Sequence, residues 1–347
     1  MTPTDRLRRY QALMAPGTPL REGLNRIVNG RTGALIALSD SPSVRAVSTG
    51  GFALDTPFAP TSLRELSKMD GGLVVTEDLT RIVRAGVHFA PDPSIETAET
   101  GTRHASADRL AKQTGAPVVT VSASMATIAL YLDHARHVVE RPEALVARSN
   151  QALNALARYN ERLREVTDAL SALEVSDQVT VRDVAVVAQR LELVRRLAAE
   201  VSGYVVLLGA EGRLLDLQLQ EATVGSAHLA THLQLDYHPD DMPDATDLSS
   251  LTDLPEEQLL DLSSVASTLG LGALDCRLSP RGLRQLLQIN RLPATLAPRL
   301  LDHFGGLQGV LAASRADLVG VEGVGDARAR AIRDGLMRLT EAAYRIS

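Results

Sequence analysis

Three short runs inside the stretch Lys68–Arg109 decide the fold: Met69-Asp70-Gly71-Gly72 running into Leu73-Val74-Val75-Thr76, then Pro91-Asp92-Pro93-Ser94-Ile95, then Thr100-Gly101-Thr102-Arg103-His104-Ala105. The first run is a turn that feeds a buried strand, and the glycines leave main chain accessible beside the Asp70 carboxylate. Such a corner admits a flat base or a ribose while the acid holds a divalent cation or a hydroxyl. The third run opens a helix that continues to Gln113, so free amides, the Thr102 hydroxyl, the Arg103 guanidinium and the His104 imidazole gather at one helix start, a phosphate-binding arrangement. Taken singly, the Asp-Gly-Gly also reads as an ordinary turn and the Arg-His as a solvated helix end.

Outward from this stretch, the pattern predicts helices over 3–14 and 18–29, and strands at Gly33–Leu38, Val44–Ser48, Leu73–Thr76, Ile82–Val87 and Pro117–Ser122, with a hairpin of Thr127–Leu132 and His137–Val139. Strands interleaved with helices give an α/β domain over 1–140. Ser122, at a strand end, reads either as a neutral cap or as a site residue.

The pattern changes at Pro142. Leu145, Ala152, Tyr159, Val166 and Leu173 recur every seven residues, with Leu156, Leu163 and Leu170 as a companion set, so one long helix carries an a/d stripe. A second helix over Val181–Ala199 is its antiparallel neighbour, Tyr204–Gly209 reads as a strand and turn, and Leu214–Gln220 is a further element. Asp236 to Pro255 is acidic and holds three prolines, the pattern of an exposed linker; His238 with Asp240 and Asp241 reads as a solvated loop, lacking regular metal-ligand spacing. The helical spine occupies 141–276.

Residues 277–347 form an all-helical tail with eleven Arg against six acids, although the whole chain carries a formal charge of −6. Gly323-Val324-Gly325 between two short helices, followed by Arg328, Arg330 and Arg333, is a tight hairpin suited to a DNA phosphate; the other reading is a helical bundle with a glycine turn. The net acidity excludes a protein that coats nucleic acid over its whole surface. Cys276 is the only cysteine, a buried or incidental thiol, which excludes an intrachain disulfide. With no apolar run of membrane-spanning length and no apolar signal core at the charged N-terminus, the composition reads as cytoplasmic.

The three runs, in this order, resemble the diadenylate cyclase domain, whose marks are an Asp-Gly-Ala turn and a Gly-Thr-Arg-His-Arg segment. Gly72 stands where that family has Ala, and Ala105 where it has its second Arg; Arg109, one turn later, faces roughly the same way as Ala105. The Arg residues that often follow the family's strand-end serine are missing after Ser122. The tail resembles a helix-hairpin-helix pair, with Leu292-Pro293-Ala294 as a degenerate first copy. The whole order, α/β cyclase-like domain, helical spine and all-α helix-hairpin-helix tail, resembles the DNA integrity scanning family.

The resemblance implies condensation of two ATP into cyclic di-AMP with release of two pyrophosphates, using Mg2+ or Mn2+, in a homo-octamer that binds branched DNA through its tail and is nucleoid-associated when so bound. It assigns Asp70 to the metal or the 3′-hydroxyl, Gly71 and Gly72 to the nucleoside, Thr102, Arg103 and His104 to phosphates, Ser122 to phosphate, and Gly323, Gly325, Arg328 and Arg330 to DNA. Two alternatives remain: a degenerate nucleotide-binding scaffold without turnover, and a structural DNA-junction binder whose N-terminal domain only assembles the ring.

Overall fold

The computed structural model describes residues 2–237, 247–289 and 292–346. They fall into two compact units, Met1–Asn150 with Val201–Leu217, and Gln151–Glu200 with Gln218–Ser347. Among the described residues no helix is long and apolar enough to cross a membrane.

Hydroxyl-proline pairs start three helices of the first unit. Thr2, Thr18 and Ser41 each accept the amide three residues on, and Pro sits at the first helical position of α1 (Pro3–Leu13), α2 (Pro19–Asn29) and α3 (Pro42–Ala46). The third corrects the strand expected over Val44–Ser48: the Ser41-Pro42 start outweighs the β-branched pair Val44 and Val47, and only β2 (Ser48–Thr49) is extended. The strands are β1 (Ala34–Ala37), β2, β3 (Phe52–Pro57), β4 (Gly72–Val75), β5 (Arg81–Phe89), β6 (Val118–Ser122), β7 (Thr127–Leu132) and β8 (Ala135–Val139), in the order β2-β5-β4-β1-β6-β7-β8 with β3 also on β5. β1 and β4 are parallel and every other pairing is antiparallel, so the sheet is mixed.

Both faces of this sheet are covered, which is why β1 and β4 read as unbroken apolar runs. Ile36, Val119, Val121 and Leu130 pack with Tyr10 of α1, Met14 just past its end, Leu20 and Leu24 of α2 and Leu63 of α4 (Pro60–Leu66). Leu35, Val74, Val118 and Tyr131 pack with Val44 of α3 and Ala107 and Leu110 of α5 (Thr102–Thr114).

The long helix is α6 (Pro142–Val175), with Leu156, Leu163 and Leu170 buried and Ala152, Tyr159, Val166 and Leu173 half-buried. α7 runs Val181–Leu208, so the strand expected over Tyr204–Gly209 is its last turn and a short 3-10 segment. Extending a formed helix costs far less than starting a new element, and this overrides the β-propensity of Tyr204, Val205 and Val206. α8 is Arg213–Thr223 and α9 Ser226–Tyr237.

The exposed linker expected from Asp236 is corrected at both described ends. Asp236 is buried in the last turn of α9, and 3-10 turn Leu248–Asp253, capped by Asp247, buries Leu251. His238, Asp240 and Asp241 lie outside the described residues. Cys276 is exposed rather than buried. The rest of the second unit is helical: α10 (Glu256–Leu260), α11 (Leu262–Thr268), α12 (Leu283–Leu287), α13 (Leu296–Phe304), α14 (Leu307–Ala312), α15 (Arg315–Val319) and α16 (Asp326–Ile346), the last five sharing one apolar core. Asn290 and Arg291, beside the Leu292-Pro293-Ala294 turn, lie outside the described residues.

A buried polar knot ties α6, α9 and α12. Glu174 is 0% exposed and accepts Arg284 Nη2 at 2.6 Å, Arg284 Nε at 3.2 Å and the Tyr237 hydroxyl at 2.6 Å, with Gln285 Nε2 as a further donor. Asp236 accepts the amides of Leu283 at 2.6 Å and Arg284 at 3.0 Å. Burial, then the charge of Glu174, pushes the Asp236 carboxyl from its ordinary 3.8 up to about 7. The folded state therefore holds this proton to higher pH than the unfolded chain, and its contribution to stability, full below 3.8, is lost as pH rises through about 7. Urea titrations at a series of pH values should show the second unit losing about 1 kcal/mol per pH unit across that window, a slope absent in Asp236→Asn. Arg284→Met strands the Glu174 carboxylate and should cost about 3–5 kcal/mol in the same measurement.

Candidate functional site

Strand directions bring the N-terminal site residues to one edge of the sheet. β1 and β4 run parallel, so their starts, Gly33-Ala34 and Gly71-Gly72, lie at the same end. β6 runs antiparallel to β1 with Ala34 opposite Val121, which sets its last residue, Ser122, at that end too. α5 joins them through Arg103: a Cβ at Gly33 would fall 2.8 Å from the Arg103 guanidinium carbon and 3.2 Å from the Val121 carbonyl oxygen.

The Asp70 corner is shaped by missing side chains. Gly71 has φ +105°, and a Cβ there would lie 2.7 Å from the main-chain carbon of Gly86. At Gly72 a Cβ would run into the Phe89 ring and lie 2.9 Å from the Leu35 carbonyl oxygen. The Asp70 side chain is exposed, with no hydrogen bond or ion pair among the described residues. No cluster of three or more metal-ligating side chains occurs among them either.

α5 starts at Gly101 with no side-chain cap, leaving its first amides free of side-chain acceptors, and Thr102 and Arg103 are exposed beside them. His104 is 9% exposed and faces inward: Nδ1 is 2.8 Å from the Tyr131 hydroxyl and 3.1 Å from the Thr120 hydroxyl. Burial holds its pKa below the ordinary value; Glu99 opposes, while Arg136 and Arg103 push the same way. The imidazole is therefore neutral at neutral pH. Burial, then Glu99, drives the Tyr131 phenol upward, so it stays protonated. Glu99 pairs with Arg136 at 3.4 Å.

Ser122 is 7% exposed and its hydroxyl accepts the Met125 amide at 3.3 Å, which closes the turn after β6. Arg109 donates from Nε to the Ile95 carbonyl at 2.9 Å, and Lys112 donates to the Glu96 carbonyl at 2.9 Å and Asp108 at 2.7 Å. These two cations pin the 91–98 loop to α5.

The tail residues lie elsewhere, in the second unit. Gly323 has φ +91°, and the Gly325 carbonyl accepts the Arg328 and Ala329 amides at the start of α16. Arg328 is exposed and donates to the Gly323 carbonyl; Arg330 is exposed and makes no side-chain bond among the described residues. Arg333, grouped with them by spacing, instead donates to the Leu311 carbonyl at 2.8 Å and braces the core. Sequence reasoning missed Tyr131, Thr120 and Phe89, whose alternation in strands carries only a core signal.

The α/β unit with its free carboxylate, bare glycine corner and uncapped helix start is of the class of nucleotide-binding domains. Residues 21–135 match the family model described as DisA bacterial checkpoint controller nucleotide-binding, and residues 139–275 that described as DisA bacterial checkpoint controller linker region. The chain is 52% identical to the DNA integrity scanning protein DisA of Kineococcus radiotolerans over 98% of its own length and 97% of that protein's. It is also 52% identical to the DisA proteins of Acidothermus cellulolyticus, over 97% of this chain and 94% of the relative, and Cutibacterium acnes, over 96% and 98%. The chain belongs to the DisA family of DNA integrity scanning proteins.

Gly72 and Phe89 share one volume. Gly72→Ala alone should destabilise the first unit by about 1–3 kcal/mol in thermal unfolding, and Gly72→Ala with Phe89→Leu should recover the part of that loss due to the ring while the Leu35 carbonyl contact persists.

Proposed function

We propose that this chain is a diadenylate cyclase coupled to the sensing of branched or damaged DNA. The observation that carries the reading is the gathering, at one sheet edge of a DisA nucleotide-binding domain, of an unpartnered carboxylate at Asp70 and an uncapped helix start bearing Arg103. Two copies face each other with one ATP each. The 3′-oxygen of one nucleotide bonds to the α-phosphorus of the other as the bond to the β-phosphate oxygen breaks. A second, reciprocal transfer closes cyclic di-AMP and frees the second pyrophosphate.

In this reading Asp70 orients the 3′-hydroxyl or holds Mg2+ or Mn2+, and the cation supplies charge neutralisation at the phosphates. Gly71 and Gly72 admit the nucleoside against bare main chain. Thr102 and Arg103 bind phosphate, and Ser122 keeps a phosphate contact through its turn. His104, gripped from inside by Tyr131 and Thr120, fixes the start of α5 and presents a neutral imidazole. Catalysis is by positioning and charge, within a cyclase domain over 1–140, a spine over 141–276 and a helix-hairpin-helix domain over 277–347. Gly323, Gly325, Arg328 and Arg330 meet DNA phosphates, and the assembly is an octamer in the cytoplasm, on the nucleoid when DNA is bound.

One observation favours a second reading, a domain that binds nucleotide without turnover. Ala105 replaces a cation, and Arg109, the nearest substitute on α5, is taken up by the Ile95 carbonyl.

Incubation with ATP and Mg2+ or Mn2+ should yield cyclic di-AMP by mass spectrometry, and none from Asp70→Asn. If only Ala105→Arg makes product, the second reading holds. Arg328→Glu with Arg330→Glu should abolish binding of four-way junction DNA in a gel-shift assay while oligomer mass by light scattering stays unchanged; retained binding would remove the tail from the DNA site.

A further inference from the structure

The turn that follows Ser122 opens on a cleft of about 890 Å³ within the first unit, lined by Ala123, Ser124 and Ala126, by Asn29 at the end of α2, by Arg31 just past it and by Arg141. It lies at the same sheet edge as the site above, because Gly33, against which Arg103 rests, is two residues from Arg31, and Ser122 is two residues from Ser124.

Three guanidinium groups line this cleft, and only two are available. Arg21 is 5% exposed and already bonded: Nε to Asn25 Oδ1 at 3.0 Å, Nη1 to the Met14 carbonyl at 3.2 Å, Nη2 to the Glu140 carbonyl at 3.3 Å. The two acids of the cleft, Glu211 and Glu143, act on Arg21, partly offsetting the burial that lowers its pKa. Arg31 and Arg141 are exposed and make no side-chain hydrogen bond or ion pair among the described residues. Arg31 also sits at φ +51°, a left-handed conformation that glycine adopts more readily than a residue with a Cβ.

We propose that Arg31 and Arg141 bind the outer phosphates of the nucleotide and so carry the departing pyrophosphate. The inference rests on the nucleotide reading of the adjoining edge and answers a deficit in it. Ala105, Ala123 and Met125 bring no charge to the phosphate side, and Arg109 is tied to its loop. A planar guanidinium fork suits a phosphate with two free oxygens, and two of them lining one cleft match a ligand with two phosphates in series.

The test uses the full chain and two probes: 3′-deoxy-ATP, which has the triphosphate but not the attacking hydroxyl, and cyclic di-AMP, which has no outer phosphates. Arg31→Gly suits the backbone and Arg141→Ala is an exposed change, so both should fold, as thermal unfolding will verify. By isothermal titration calorimetry each substitution should weaken 3′-deoxy-ATP about tenfold, and the pair about a hundredfold, with cyclic di-AMP held within about twofold. Equal weakening of both probes, or of neither, overturns the assignment of these arginines while leaving the nucleotide site standing. A native chain that binds neither probe overturns the nucleotide reading and this inference with it.

Discussion

The parallel pairing of β1 with β4, flanked by antiparallel β6, is the constraint on which the first unit depends. It sends two strand starts and one strand end to a single edge and so collects Gly33, Gly71-Gly72 and Ser122 from positions nearly ninety residues apart in sequence. Register does the rest. With Ala34 opposite Val121, the alternation along β1 sends Ile36 to one helical layer and Leu35 to the other, and a slip of one residue would exchange the two cores. The same register sets Arg103 over Gly33, where any side chain would push the guanidinium away.

Much of this was legible from residues alone, and the exceptions have physical causes. Leu73–Thr76, Ile82–Val87 and Pro117–Ser122 are dense in β-branched side chains and bounded by turn residues, so they declared themselves. The segment Phe52–Pro57 did not: its Asp55 and Pro57 read as breakers, and it pairs only along an edge, where interruptions are tolerated. Residues 44–48 misled because β-propensity is a weak term beside an N-cap and a proline already set for a helix. In the site, Asp70 and Arg103 were visible as local motifs. The grip of Tyr131 and Thr120 on His104 was not, since it joins strands and helix through contacts between residues far apart in the chain. Asp236 has a similar explanation: acids in a proline-bearing run predict a solvated linker, whereas the amides of Leu283 and Arg284 supply buried partners from another helix.

The second unit handles charge in the opposite way from the first. Around Glu174 donors from Arg284, Gln285 and Tyr237 converge on one buried carboxylate, and buried polar groups of this kind specify one arrangement of helices over others. At the sheet edge the charged groups are left outward and unsatisfied. Asp70, Arg31 and Arg141 have no side-chain partners within the described chain, so a nucleotide bound as proposed would meet charges that no internal contact has neutralised.

The shared volume of Gly72 and Phe89 also constrains how such a corner changes over generations. With alanine at 72, a phenylalanine at 89 meets a methyl group in its own space; with glycine at 72, a smaller residue at 89 leaves only a void. The two positions therefore act as one unit: a side chain added at 72 is felt first by the ring at 89, and a choice of residue at either position has to be made together with the other.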